Sequence, residues 1–183
     1  MLLTEEDQNF LKVKIKFLII ILTLLFTSKS YCEKIVLEKL VELDSPWGSS
    51  FINNNEIIVT EKSGKIKIVD ILTNQIQEVD HQLDFVVHGQ GGLLDIIHKD
   101  NIVWISYTED RGNYKTSTSI ARAKLNKKKL VFKNIFQANP PIDSGYHFGS
   151  RLAIKDNYIY ASAGERGQGM IAQDASKHPG SII

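Results

Sequence analysis

The sequence has little cysteine, since Cys32 is the single one among 183 residues. One cysteine excludes intramolecular disulfides and every multi-cysteine metal or iron-sulfur site. An excess of charge of one sign is missing too, because 22 Lys and Arg face 21 Asp and Glu, and residues 33–183 keep 18 of each. This balance argues against DNA, RNA or anionic lipid as the main partner, since these bind a basic surface. With 43% hydrophobic and 23% charged residues, the composition is that of a globular protein.

A hydrophobic run long enough to cross a bilayer is also missing. The longest apolar block, residues 17–26, is about half of the ~20 residues that a transmembrane helix needs. Three lysines precede this block and a short polar stretch follows it, which is typical of a signal peptide. We therefore expect residues 1–32 to be a signal peptide, cleaved near Ser30 to Cys32, and the protein to be periplasmic or secreted. An uncleaved membrane anchor is the alternative.

Helical periodicity is absent from the sequence beyond Glu33, where short runs rich in Ile, Val and Tyr alternate with Gly, Asn, Asp and Lys. This pattern predicts an all-β fold. Four strands stand out, at residues 56–60, 65–69, 102–106 and 158–162. The first two form a predicted hairpin, in which Ile66 and Ile68 face the core while Lys65 and Lys67 face solvent.

Three segments look like copies of one unit, because each runs from Asn through an apolar strand to a small hydroxyl residue and then to Glu. They are residues 55–61, 101–109 and 157–165, and their first residues are 46 and 56 positions apart. Periods of about 40–50 residues with several strands are typical of β-propeller blades, although a β-sandwich is the alternative. Residues 33–183 would form roughly three blades, whereas propellers close with about four to eight. We therefore expect this chain to be the N-terminal part of a longer protein.

Short motifs follow one another in a fixed order over most of residues 43–183. The most specific are Gly89-Gln-Gly-Gly-Leu93 and His147-Phe-Gly-Ser-Arg-Leu152, and Gly164-Glu-Arg-Gly167 follows them. In this order they resemble the soluble quinoprotein sugar dehydrogenases of the glucose/sorbosone dehydrogenase family. The resemblance implies a six-bladed, all-β propeller, of which about three blades, the N-terminal half, are present here.

The resemblance also implies an activity, the oxidation of the C1 hydroxyl of an aldose by hydride transfer to pyrroloquinoline quinone (PQQ) with calcium polarising the quinone. By motif position His147 is the catalytic base, a role that suits an imidazole with a reference pKa of about 6.5. By the same resemblance Gln90 faces the sugar and the quinone, and Arg151 is a candidate ligand of a cofactor carboxylate. Most groups that hold PQQ and Ca²⁺ are expected in later blades.

Each of these assignments has a structural alternative. His147 can fill space between two aromatic neighbours, and Gln90 can be an exposed turn residue. Arg151 and Arg166 can bond blade carbonyls or Glu165. The glycines around Gln90 are expected to permit positive φ and the close approach of a flat ligand.

The remaining residues with distinctive side chains have no assigned chemistry. Trp47 and Trp104 fit core positions of blades, and no transition-metal site is assigned. Four histidines are expected in loops, at positions 81, 88, 98 and 178.

A secreted, non-catalytic propeller that binds carbohydrate or protein is the alternative function. The electron acceptor is not identified by the sequence, and a homodimer of the full-length protein stays open.

Overall fold

The computed structural model describes residues 5–25 and 34–183. The chain divides into two units, Met1–Glu38 and Lys39–Ile183. In the first unit, helix α1 spans Glu5–Leu25 and contains the three lysines and most of the apolar block. Among the described residues no helix has both the length and the apolar character needed to span a membrane. The predicted cleavage site near Cys32 lies outside the described residues.

The second unit is built of β-strands, with one short 3-10 helix at Gly169–Gln173. The strands are β1 Pro46–Phe51, β2 Glu56–Glu61, β3 Ile66–Asp70, β4 Ile76–His81, β5 Leu93–Lys99, β6 Ile102–Asp110, β7 Thr116–Lys124, β8 Lys129–Leu130, β9 Lys133–Gln137, β10 Gly149–Lys155, β11 Tyr158–Ala163 and β12 Ser181–Ile182. The four strands predicted from the sequence all exist. The all-β prediction is confirmed.

These strands form three sheets. The first sheet has the order β1-β2-β3-β4-β8, the second β5-β6-β7-β9 and the third β10-β11-β12. Neighbouring strands pair antiparallel, with one exception. Strand β8 lies between β7 and β9 in the sequence, but it pairs parallel with β4 at the edge of the first sheet. The number of sheets agrees with the roughly three blades predicted from the chain length.

The predicted sequence repeat is also a structural repeat. Strands β2, β6 and β11, which carry the three similar segments, are each the second strand of their sheet. Each pairs with the first strand of its sheet through a register shift, which falls at Pro46/Ser49, Leu93/Ile96 and Gly149/Leu152. A β-bulge of this kind bends a strand and increases its twist. The three copies therefore share their pairing as well as their sequence pattern.

Two apolar clusters join the sheets. The larger contains side chains of the first and second sheets, among them Ile58, Ile66 and Ile105. The smaller brings Ile120 of the second sheet against Leu152 and Ala161 of the third. Burial of such side chains contributes about 25 cal/mol per Å² of apolar surface removed from water. The sheets are therefore held face to face mainly by hydrophobic contact.

The hairpin prediction is right for one face and only partly right for the other, where Lys65 is exposed as expected but Lys67 is not. Ile66 and Ile68 are buried as expected, but Val69 on the opposite face is buried as well. On that face the Lys67 side chain is 17% exposed, and its Nζ lies 2.7 Å from Oε1 of Glu61, whose side chain is 1% exposed. The segment before β1 helps to cover this face, since the Asp44 amide donates to the same oxygen. Lys67 tolerates partial burial because it has this partner.

Predictions for three other side chains need correction. Trp47 is 43% exposed and does not occupy a core position, whereas Trp104 packs against the smaller apolar cluster. His81 ends strand β4 and His98 lies within β5, so neither is a loop residue. The alternation of apolar and polar residues along a strand does not by itself show which of its two faces a neighbouring sheet covers.

Candidate functional site

Two of the predicted site residues, Gln90 and His147, lie on loops that the three sheets bring together, whereas Arg151 lies in strand β10. One loop connects the first sheet to the second, another connects the second to the third, and the last follows the second strand of the third sheet. These loops are residues 82–92, 138–148 and 164–168. Loops positioned by a rigid scaffold are the usual place for binding and catalytic residues.

Backbone hydrogen bonds join these loops. The amide of Gln90 donates to the carbonyl of Gly145 over 2.8 Å, and the amide of Gly164 donates to the carbonyl of Phe148 over 3.1 Å. The approach is close, because a Cβ added to Gly164 would lie 1.9 Å from the His147 carbonyl oxygen. Only glycine fits there, and the site therefore depends on direct contact between backbones.

The backbone of His147 has an unusual conformation. Its φ is +50°, in the left-handed region that residues other than glycine seldom adopt. The His147 amide donates to Oε1 of Gln90 over 2.9 Å. Such conformations persist only where the surrounding structure stabilises them, and they are concentrated at functional sites.

The imidazole of His147 pairs with Glu165. His147 Nδ1 lies 2.5 Å from Glu165 Oε1, and the Gly167 amide donates to the same carboxylate oxygen over 3.1 Å. The hydrogen bond to His147 is the main cause that lowers the pKa of Glu165 below its ordinary 4.5. Glu165 is therefore a carboxylate at neutral pH and accepts a hydrogen bond from Nδ1–H. In the neutral form of the ring, Nε2 is then the nitrogen that can accept a proton.

Gln90 lies beside this pair, and its amide orientation follows from its hydrogen bond. A backbone N–H can only donate, so the side-chain atom facing the His147 amide is the carbonyl oxygen. The Nε2 group of Gln90 then remains as a donor for a bound molecule. The structure thus brings Gln90 and His147 together, as their predicted roles require.

The glycines around Gln90 make close contacts within the protein. Gly89 has φ +57°, and a Cβ there would lie 2.4 Å from the Gly145 carbonyl oxygen. A Cβ at Gly91 would lie 2.3 Å from Thr108 Oγ1. The expected positive φ is confirmed at Gly89, and both glycines admit other parts of the protein, while the close approach of a flat ligand stays a prediction.

Arg151, the predicted ligand of a cofactor carboxylate, is engaged with another residue. Its Nη1 donates to Oδ1 of the buried Asp95 over 3.0 Å, while the Leu152 amide donates to Oδ2 over 2.7 Å. Asp95 of the second sheet therefore holds the first strand of the third. The assignment of Arg151 to a cofactor stays a prediction.

Arg166 follows the structural alternative, since its guanidinium bonds carbonyls. Nε donates to the Tyr146 carbonyl over 2.9 Å, and Nη1 donates to the Thr116 carbonyl over 3.1 Å. Nη2 donates to Thr116 Oγ1 over 2.8 Å and to the Ser144 carbonyl. Burial lowers the pKa of Arg166 to about 10, which still leaves it charged at neutral pH.

Sequence reasoning missed Glu165 as the partner of the histidine. The signal was present, because Glu165 ends the third repeat and lies within Gly164-Glu-Arg-Gly167. The described ranges contain no group of three or more His, Cys, Asp or Glu side chains that could hold a metal ion. The chemistry that this arrangement offers is acceptance of a proton by His147 next to a hydrogen-bond donor.

Comparison with known proteins identifies relatives of this chain. A model of the glucose/sorbosone dehydrogenase family matches residues 43–183. The aldose sugar dehydrogenase YliI of Escherichia coli (strain K12) is 28% identical over 152 residues, which cover 78% of this chain and 41% of that protein. The chain therefore spans less than half the length of this curated relative.

Solved structures are similar as well. The soluble aldose sugar dehydrogenase of Escherichia coli in its apo form has a TM-score of 0.73 and 28% identity, covering 77% of this chain and 44% of that chain. The PQQ-bound aldose sugar dehydrogenase of Streptomyces coelicolor has a TM-score of 0.72 and 24% identity, covering 81% and 47%. These similarities confirm the predicted propeller-type fold. With the family model matching most of Lys39–Ile183, the chain belongs to the glucose/sorbosone dehydrogenase family.

Proposed function

We propose that this chain supplies the proton-accepting side of a quinoprotein sugar dehydrogenase that oxidises the C1 hydroxyl of aldoses. The observation that carries the proposal is the contact of His147 Nδ1 with Glu165 Oε1, 2.5 Å, beside Gln90. The family match and the sugar dehydrogenases among the relatives support it. PQQ, when bound, supplies the acceptor for the hydride.

The residues of this chain act on the proton of the sugar hydroxyl. His147 presents Nε2 as the base, because Glu165 holds the Nδ1 proton and fixes the tautomer. The Glu165 carboxylate then stabilises the imidazolium that forms. Gln90 offers its Nε2 to an acceptor oxygen of the sugar or the quinone, since its own oxygen is occupied by the His147 amide.

The described residues suit the reacting side of PQQ better than its carboxylates. Three cations near the site have partners in the protein: Lys62 donates to the Gly89 carbonyl, Arg151 to Asp95 and Arg166 to backbone carbonyls. We therefore expect most of the groups that hold the cofactor carboxylates and calcium to come from outside the described residues. This chain alone is then expected to bind PQQ weakly.

We also propose that residues 1–32 direct export to the periplasm or out of the cell. The basic residues of α1 followed by its apolar block support this proposal. N-terminal sequencing of exported protein tests it, with a new terminus expected near Cys32. Material that retains Met1 in the membrane fraction would show an uncleaved anchor instead.

Sugar oxidation is tested by reconstituting the full-length protein with PQQ and Ca²⁺ and following the reduction of an artificial dye by aldoses. We expect His147→Ala to lower turnover by about 10²–10⁴-fold, the usual contribution of a general base. His178→Gln is the matched control, since His178 Nδ1 accepts from the Asn139 amide and a glutamine oxygen can replace it. Equal turnover in wild type and His147→Ala would contradict the base assignment.

The second candidate function is carbohydrate or protein binding without redox chemistry. It is favoured by the same experiment if the well-folded, reconstituted wild type shows no turnover with any aldose. Isothermal titration with sugars then separates a carbohydrate-binding module from one that binds protein.

A further inference from the structure

Arg166 is a buried cation in the part of the chain that the structure describes. It is 3% exposed, and its charge is compensated there by carbonyl and hydroxyl oxygens and not by a carboxylate. Its guanidinium carbon also lies 3.6 Å from the centroid of the Phe148 ring. Burying a charged group without an opposite charge is costly unless its donors are well satisfied. The burial of this cation therefore depends on its hydrogen bonds to these oxygens and on its contact with Phe148.

The partners of Arg166 lie on both sides of His147. Its Nε bonds the carbonyl of Tyr146, the residue before the histidine, and its cation stacks on Phe148, the residue after it. Its other nitrogens bond Thr116, the first residue of β7 in the second sheet. The guanidinium thus ties the segment around the histidine to a strand of another sheet.

The neighbouring residue of the same loop holds the imidazole. Glu165 accepts the hydrogen bond from His147 Nδ1, so two consecutive residues fix the ring and the backbone of one histidine. Both His147 and Arg166 have positive φ, +50° and +58°, and such conformations need support from their surroundings. A shift of the 144–148 segment would separate the imidazole from the carboxylate.

We propose that Arg166 is a positioning residue for His147, which holds the histidine segment against Thr116 so that the imidazole stays on Glu165. The expected effect of Arg166 on turnover rests on the proposed sugar oxidation, whereas its expected effect on the His147 imidazole does not. A lysine cannot replace it, because the fork of guanidinium donors reaches several oxygens at once and an ammonium is a point charge.

The test measures the tautomer of His147 by nitrogen NMR on the full chain with labelled histidines. The His147→Asn variant lacks the His147 signals and so identifies them in the wild-type spectrum. In wild type we expect the neutral ring to be a single tautomer, with the proton on Nδ1 and none on Nε2. In Arg166→Lys and Arg166→Met we expect averaged signals from both nitrogens. Arg111→Met is the matched control, because Arg111 bonds Ser117 and the Ala138 carbonyl but not the histidine segment.

Thr116→Val provides a second variant that keeps the arginine. It removes the Oγ1 acceptor of Nη2 and is expected to change the His147 signals in the same direction, by a smaller amount. Circular dichroism identifies the folded variants. If Arg166→Met does not fold, Arg166→Lys and Thr116→Val decide the outcome. An unchanged single tautomer in the folded variants would overturn the proposal.

Turnover gives a separate readout in the reconstituted full-length protein. We expect Arg166→Lys to lower kcat by about 10²-fold, as misplacement of a catalytic group by about 1 Å does, with little change in KM. A wild type without turnover but with the predicted tautomer change in the variants would reject sugar oxidation and keep the positioning role. Normal kcat in a variant with averaged tautomers would keep the positioning role and show that turnover does not depend on the tautomer of His147.

Discussion

At the scale of single residues, the chemistry of the site depends on what surrounds His147. Glu165 selects the protonated nitrogen of its ring, Gln90 binds its amide, and Gly164 leaves room for its carbonyl. These neighbours come from two loops and meet at a histidine of a third. A residue that would otherwise be an exposed aromatic thereby gains a defined orientation and a defined basic nitrogen.

Glu165→Gln is expected to lower sugar oxidation strongly while the protein stays folded. The amide cannot enforce the Nδ1-protonated tautomer, and the equivalent change in a Ser-His-Asp triad lowers kcat by about 10⁴-fold. The measurement is dye reduction by the reconstituted protein. The control is Glu78→Gln, whose only described ion pair is with the exposed Lys65. Comparable turnover in Glu165→Gln and wild type would contradict the role of the carboxylate.

The same pair predicts a pH dependence of stability. The pKa of Glu165 is lowered in the folded protein. The stabilisation of the fold by its carboxylate is therefore fully present above the ordinary pKa of 4.5 and is lost as the pH falls through the lower pKa of the folded state. Wild type should therefore unfold at a higher temperature than Glu165→Gln at neutral pH. The difference in Tm should shrink as the pH falls below 4.5. A difference that grows on acidification would contradict this assignment.

Gly164→Ala is expected to destabilise the fold by about 3 kcal/mol, because the new Cβ would overlap a backbone carbonyl that cannot move freely. The predicted contact is 1.9 Å, with the His147 oxygen. Gly112→Ala is the comparison: its Cβ meets nothing within 4 Å, so we expect only about 1 kcal/mol from its positive φ. Urea unfolding measures both values, and equal losses would contradict the close approach.

At the scale of elements, a hydroxyl on the second strand of each sheet makes a recurring contact. Thr60 on β2 accepts from the Gly48 amide of its own sheet over 3.0 Å and donates to the Leu94 carbonyl of the next sheet over 2.5 Å. The donor and the acceptor both belong to first strands. One buried side chain therefore bridges the bulge of its own sheet and the neighbouring sheet.

The second sheet repeats this contact with Ser106. Its Oγ accepts from the Asp95 amide over 2.9 Å and donates to the Ser150 carbonyl of the third sheet over 2.7 Å. On the third sheet, Ser162 Oγ accepts from the Arg151 amide over 3.0 Å. In the first two sheets the small hydroxyl residue of the sequence repeat is thus a connection to the next sheet, and in the third it keeps the bond within its own sheet.

Ser106→Ala is expected to lower the free energy of unfolding by about 1–3 kcal/mol, since it leaves a buried amide and a buried carbonyl without their partner. Ser49→Ala on the exposed side of β1 is the control, with an expected change within about 0.5 kcal/mol. Chemical denaturation of both variants measures the difference. Similar values for the two would show that the hydroxyl does not join the sheets.

At the scale of the whole molecule, one sheet face is more exposed than its equivalents. Ile58 and Trp104 lie two residues before the bridging hydroxyls of the first and second sheets, and each packs against the following sheet. Tyr160 holds that position in the third sheet and is 42% exposed, with Tyr158 and Ile182 exposed beside it. Contiguous apolar surface of this kind promotes association.

We therefore expect the 183-residue chain to self-associate as its concentration rises, which light scattering measures. Tyr158→Lys and Tyr160→Lys together should reduce association, because the charges oppose burial of this face. Tyr114→Lys is the control, since Tyr114 is exposed in the β6–β7 turn and away from the third sheet. Equal scattering by both variants would show that another surface is responsible.

The sequence by itself determined the secondary structure and the repeat. The alternation of Ile66 and Ile68 with lysines defines a strand, and the spacing of the Asn-to-Glu segments defines equivalent strands of successive sheets, because both patterns depend on residues near one another in the chain. The order of short motifs was enough to suggest the family, His147 and Gln90.

Tertiary structure decided which groups meet. Glu165 reaches His147 from another loop, Arg151 reaches Asp95 on another sheet, and Lys67 is covered on a face expected to be in solvent. Such contacts depend on the packing of sheets and the path of loops, which join residues far apart in the chain. Local patterns specify the strands, but only the packed fold specifies the partner of each charged side chain and the basic nitrogen of the histidine.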